Sequence, residues 1–166
     1  MDEIVARSLA KWPNVPSVYG WLLLDRRGNW RLRTAATGRS FEPIANAALR
    51  EFIARNYQPD ERGRWFFQNG PQRVYATLAY TPLVVRYEGS GRDLVDQCGR
   101  AFTPSQALID EEGSVLYAGE GTVALLDDRD LIRLADDPGP LARISAREVH
   151  VRFGFTKEPA PGSGPF

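Results

Sequence analysis

Residues 60–87 read DERGRWFFQNGPQRVYATLAYTPLVVRY, the longest β-type text in the chain. Trp65, Phe66 and Phe67 favour a pleated, half-buried surface. Asn69-Gly70 marks a tight reversal, because both residues accept positive φ at little cost. Pro71 then falls in the loop, where its missing N–H does no harm. The return run alternates, with Val74, Ala76, Leu78 and Tyr80 on one face and Arg73, Tyr75, Thr77 and Ala79 on the other. Thr81-Pro82 breaks it, and Leu83, Val84, Val85 and Tyr87 form a third strand. The stretch predicts a three-stranded antiparallel meander, about the minimum for a stable sheet.

Immediately before it, Pro43–Tyr57 reads as the main helix. Ile44, Ala45, Ala48, Leu49, Phe52 and Ile53 share one face, and Pro43 suits a first helical turn. That face must cover a sheet, and the meander is the obvious partner. Further out, Tyr19–Arg33 reads as a hairpin turning at Asp25-Arg26-Arg27-Gly28, with the apolar Trp21–Leu24 inside the sheet. Residues 2–12 predict a short helix capped by Asp2. Residues 89–104 read as loop and Gln106–Tyr117 as another hairpin. Thr122–Leu126 reads as a strand, followed by a short helix capped by Asp127 or Asp128. Glu148–Phe155 reads as an amphipathic strand, and 159–166 as a disordered Pro/Gly/Ser-rich tail. The class is α+β, with antiparallel hairpins packed by one main helix.

Three segments share the spacing D-x-x-G-x-(apolar): Asp25–Trp30, Asp60–Trp65 and Asp110–Val115. Two readings stand side by side. One is common hairpin chemistry. The other is a pseudo-duplication, with a helix and linker at 1–16 and hairpin–helix–sheet units at 17–100 and 101–158. The text GWLLLDRRGNWRL, NAALREF, DERGRWFFQNGPQRVY and TPLVVR, over about 18–118, resembles small proteobacterial proteins of unknown function. It is also distantly similar to an uncharacterised family built from repeated hairpin-and-helix motifs. Where that family carries a Thr-Pro-Val-Glu-Lys-like segment, this chain has Asn69-Gly70-Pro71-Gln72-Arg73. The resemblance implies a repeat-built α+β fold with a binding or signalling role, and brings no catalytic residue with it.

At 166 residues the chain is long enough for a core without a metal or disulfide staple. Its single cysteine, Cys98, excludes an internal disulfide framework and fits a reducing compartment. The N-terminus lacks signal-peptide patterning and no apolar run reaches membrane-span length. The expected location is the cytoplasm, with no membrane partner. Net charge is zero but uneven: residues 1–57 carry +4 and residues 105–137 carry −7. A nucleic-acid binder usually carries net positive charge on its domain, so that partner class is disfavoured. An exposed edge strand would support a homodimer.

The polar set singled out for ligand binding is Asn69, Gln72 and Arg73 at the central hairpin, with Arg86 in the next strand and aromatics Trp65, Phe66 and Tyr75 nearby. Cys98 with His150, the only imidazole, is the one nucleophile–base pairing available. The acidic runs 110–112 and 127–130 read as a turn and a helix cap, without the twelve-residue calcium pattern. No glycine-rich phosphate loop or nucleophile elbow occurs, and neither a cofactor nor a metal is expected. These features favour a non-enzymatic module that binds a small molecule or a protein partner. A hydrolase-like enzyme is one alternative. Single-stranded nucleic-acid binding through Trp30, Arg31, Arg33 and Trp65 is the other.

Overall fold

The D-x-x-G text folds the same way each time it occurs. In the computed structural model, which describes residues 1–35 and 38–164, one Asp25 carboxylate oxygen accepts from the backbone N–H of Arg27 and of Asn29, at 2.9 and 2.8 Å. The Gly28 N–H donates to the Asp25 carbonyl, and the Asp25 N–H to the Asn29 carbonyl. Asp60 and Asp110 repeat these bonds. So does Asp96, with Cys98, Gly99 and Arg100 in the equivalent places. Each turn carries its glycine at a φ between 70° and 82°. That left-handed backbone costs a residue with a Cβ about 1–2 kcal/mol.

These turns connect the strands of two sheets. The first holds β1 (Val18–Leu24), β2 (Trp30–Arg33), β3 (Phe41–Pro43), β4 (Tyr57–Pro59), β5 (Trp65–Asn69) and β6 (Gln72–Leu78), in the order β3-β2-β1-β6-β5-β4. The second holds β7 (Leu83–Tyr87), β8 (Leu94–Asp96), β9 (Ala101–Phe102), β10 (Gln106–Ile109), β11 (Val115–Gly119), β12 (Thr122–Leu126) and β13 (Ala142–Arg143), in the order β13-β10-β11-β12-β7-β8-β9. Each sheet has a parallel pair at its centre, β1 with β6 and β12 with β7, continued on both sides by antiparallel pairings, and β13 adds a further parallel pairing to β10 at one edge of the second sheet. In each, three consecutive strands run outward from that pair and the next three run back to it. Asp60, Trp65 and Gly70 stand fifty residues before Asp110, Val115 and Glu120, their counterparts in the second sheet.

Thr81-Pro82 therefore does more than break a strand: it carries the chain from one sheet to the other. The expected meander through β5, β6 and β7 is corrected, since β6 pairs with β1 and β7 with β12 and β8. The meander that does form is β4–β5–β6, one strand earlier. Residues 83–102 belong to the second sheet, so the sheets divide at the crossover. Thr81 fixes it, its hydroxyl donating to the Leu83 carbonyl (2.6 Å) and accepting from the Leu125 N–H (3.1 Å). The Tyr57 hydroxyl donates to the Pro82 carbonyl at 2.9 Å. The inner residues of both sheets form one apolar cluster, from Leu22 and Trp30 through Phe67 and Leu78 to Val85, Leu116 and Phe155.

The helices are shorter than their patterns suggest. α1 (Glu3–Lys11) buries only Val5, and Asp2 makes no side-chain cap. The Asp2 carboxylate instead meets the Arg55 guanidinium at 3.2 Å. α2 (Ala47–Arg55) starts at Asn46, whose side chain accepts from the Leu49 N–H at 3.0 Å. Pro43 is the last residue of β3, not a helical first turn. As expected, α2 faces the strands that follow it, with the Phe52 ring edge-on to Phe67 at 6.1 Å. α3 (Leu131–Ala135) follows a single 3-10 turn capped by Asp127.

Residues 148–155 are not a strand. They hold α4 (Val149–Arg152), because Val149 and Phe153 are also spaced for one helical face; Val151, placed inward by alternation, is 48% exposed. The chain then packs back, with the Thr156 N–H on the Gly63 carbonyl. The Ala160 and Gly162 carbonyls accept from Arg64 and Arg62. Pro165 and Phe166, the end of the expected tail, lie outside the described residues.

Candidate functional site

A cleft of about 420 Å³ opens where the two sheets meet. Its wall on one side is the end of the Asp25 turn, Arg27–Trp30, and the α2 residues Arg50, Glu51 and Ala54. On the other side are Val84, Val85 and Arg86 of β7, the Asp96 turn, and Asp127 and Arg129 after β12. The junction is tight beside the cleft. A Cβ built on Gly28 would lie 2.9 Å from the Gln97 Cβ and 3.4 Å from the Val84 Cβ. Gln97 locks the second wall, its side-chain oxygen accepting from the Val84 N–H (2.9 Å) and its amide donating to the Pro82 carbonyl (3.2 Å).

Four arginines and three carboxylates line this cleft, and their pairing sorts them. Arg27 makes a two-pronged bond to Asp128, at 2.7 and 2.8 Å, which ties the first sheet's turn to the second sheet. That guanidinium pulls the Asp128 carboxyl down to about 2. Arg129 pairs with Asp127, which is itself buried. Arg50 donates to the Ile44 and Ala45 carbonyls, both at 2.7 Å. Asp96 is held by its turn N–H groups, while burial pushes its carboxyl up. Arg86 alone among these arginines has no hydrogen-bond or ion-pair partner among the described residues.

The sequence-predicted set divides. Arg86 lies in the cleft. Asn69, Gln72 and Arg73 lie together at the far end of the β5–β6 hairpin, where Gln72 donates to the Pro16 carbonyl at 3.1 Å. Arg73 stacks over Phe66 at 4.5 Å, and Phe66 packs against Tyr75. Trp65 turns the other way, into the core. Trp30 and Trp65 are 3% and 8% exposed, so neither is a stacking platform for a nucleic-acid base. Cys98 sits on the Asp96 turn in the cleft, and burial pushes its thiol up to about 12. The charged groups acting on it are Asp96 and Arg100; His150 instead packs edge-on to Phe155. The Asp110 carboxylate is taken up by its turn and by the Tyr80 hydroxyl at 2.8 Å.

Sequence reasoning missed Arg27, Arg50 and the Asp96 turn as parts of one site. The D-x-x-G spacing of Asp96-Gln97-Cys98-Gly99-Arg100-Ala101 was the available signal. The meeting of residues near 28, 50, 85 and 97 had none.

Residues 1–160 match the model of the family DUF2944, described as "Protein of unknown function (DUF2946)". The chain belongs to that family. Membership agrees with the residue pattern, which resembles uncharacterised proteins, and assigns no residue a role. No curated protein matches the chain. Among solved structures, a DUF1285 family protein from Silicibacter pomeroyi DSS-3 shares 17% identity, covering 82% of this chain and 84% of its own, with a TM-score of 0.49. A DUF1285 family protein from Shewanella baltica OS155 shares 13% identity over 69% of this chain and 90% of its own, with a TM-score of 0.48. Among the described residues, no helix is long and apolar enough to cross a membrane.

Proposed function

We propose that the chain is a ligand-binding module whose site is the cleft between the two sheets. One observation carries the reading: a concave space of about 420 Å³ is lined at once by both sheets, α2 and two Asp turns. Small-molecule sites run from roughly 300 to 1,000 Å³ and combine apolar walls with a few convergent polar groups. Val84, Val85 and Trp30 line the apolar part, and Arg86 and Glu51 are the lining polar side chains without a hydrogen-bond or ion-pair partner among the described residues. The same reading takes the two sheets as two copies of one unit, meeting at the site. The shared strand order and the fifty-residue offset between β4–β6 and β10–β12 support it. The duplicated unit has no fixed helix, since α2 stands between β3 and β4 while Thr103–Ser105 alone join β9 to β10.

The test is a thermal-shift screen of nucleotides, organic acids, amino acids and divalent metals, on the wild type and on Ala54→Trp, which fills the cleft from α2. A ligand at 100 times its Kd adds roughly 2.7 kcal/mol, or roughly 5–10 °C for a chain this size. Cleft binding requires that Ala54→Trp lose the shift. Shifts that survive it place the ligand elsewhere.

A further inference from the structure

We propose that the cleft recognises an oxyanion, the carboxylate or phosphate of a small metabolite, and that Arg86 is the residue that grips it. This rests on the reading of the cleft as a binding site. The carboxylates lining the cleft are largely committed: Asp127 to Arg129, and Asp96 to the N–H groups of its own turn. Arg27 is held by Asp128, outside the lining. The Arg86 guanidinium is left without a partner among the described residues, on a strand whose four other residues are buried. A guanidinium presents a planar fork of donors that matches carboxylate and phosphate oxygens two at a time. Arg50 lines the same space, anchored through Nη1 to the carbonyls before α2. It is a second cation whose position is already set. Glu51 is the one lining carboxylate outside those pairings, and it favours a ligand that offers a hydroxyl or amino group beside its anion.

The experiment measures binding of inorganic phosphate, pyrophosphate, succinate and citrate by calorimetry, with glycerol and spermidine as uncharged and cationic controls. Wild type, Arg86→Ala, Arg86→Lys and Ala54→Trp are compared. Because Arg86 is exposed and unpartnered, both of its variants should unfold at the wild-type temperature, which separates a binding effect from a folding one. At least one anion should bind the wild type, and the phosphate and carboxylate arms then name the source of the oxyanion. Arg86→Ala should weaken that anion roughly tenfold or more, the loss of one or two charge-assisted bonds. Arg86→Lys should recover only part of it, since an ammonium lacks the fork. An anion that binds equally well to Arg86→Ala overturns the proposal, and so does the absence of binding by any anion. If a control compound binds instead and Ala54→Trp abolishes it, the oxyanion assignment fails while the cleft remains a binding site.

Discussion

Replacing the turn glycine by alanine at Gly28, Gly63, Gly99 and Gly113 separates the cost of the turn from the cost of docking it. All four glycines have nearly the same φ, so an alanine pays the same left-handed penalty at each, about 1–2 kcal/mol. Their surroundings differ. At Gly99 and Gly113 a Cβ meets nothing within 4 Å. At Gly28 it lies 2.9 Å from the Gln97 Cβ. At Gly63 it lies within bonding range of the Gly154 carbonyl, which belongs to the segment that packs back after α4. Overpacking adds about 1–3 kcal/mol and occasionally more. The expected losses are about 1–2 kcal/mol for Gly99→Ala and Gly113→Ala, and about 2–4 kcal/mol for Gly28→Ala. Gly63→Ala should lose about 3–5 kcal/mol or fail to fold. Urea unfolding with an unchanged m-value measures each difference. Equal losses at all four sites would refute the claim that two of these turns are seated against other elements.

Thr81→Val keeps the side-chain shape but strips the Leu83 carbonyl and the Leu125 N–H of their buried partner; it should cost about 1–3 kcal/mol for each group by urea unfolding. A loss under about 0.5 kcal/mol would mean the crossover does not depend on that hydroxyl. Cys98 keeps its proton in the fold up to about pH 12, whereas an ordinary thiol titrates near 9. Stability should therefore hold below pH 9 and fall as pH rises from 9 towards 12, with Cys98→Ser flattening part of the decline. A native thiol that alkylates at pH 7 as fast as free cysteine would contradict this. Asp128 titrates near 2 against an ordinary 3.8, so its contribution is present above pH 4 and lost as pH falls to 2. Asp128→Asn should remove that portion of the acid limb, and an unchanged acid profile would show that the Arg27 bond does not form in solution.

Local chemistry was legible in the sequence and long-range assembly was not. The Asp25, Asp60 and Asp110 turns read correctly because a carboxylate at the first position and a glycine at the fourth determine the loop without help from elsewhere. The main helix was legible for the same reason, although Pro43 looked helical and is strand. The Asp96 turn was hidden by the shortness of β8 and β9, which carry three and two residues and show no period. Thr81-Pro82 could be read as a break, but not as a change of sheet. That outcome depends on the parallel pairings of β6 with β1 and of β7 with β12, each between strands far apart in sequence. Residues 148–155 misled because Val149, Val151, Phe153 and Phe155 alternate, while the spacing of Val149 and Phe153 serves a helix equally well. For the site, the residue pattern groups Arg86 with Asn69, Gln72 and Arg73, but the fold places Arg86 in the cleft and the other three on the other sheet. Nothing local links Arg86 to Arg27 or Arg50; only the docking of the sheets does.

The most direct measurement is an amide-resolved NMR titration with whichever compound gives the largest thermal shift. Binding in the cleft predicts that the shifting amides cluster at Gly28–Trp30, Glu51 and Ala54, Val84–Arg86 and Gln97–Gly99, drawing on both sheets at once. Shifts confined to the β5–β6 hairpin end around Asn69, Gln72 and Arg73, or to a single sheet, would contradict it.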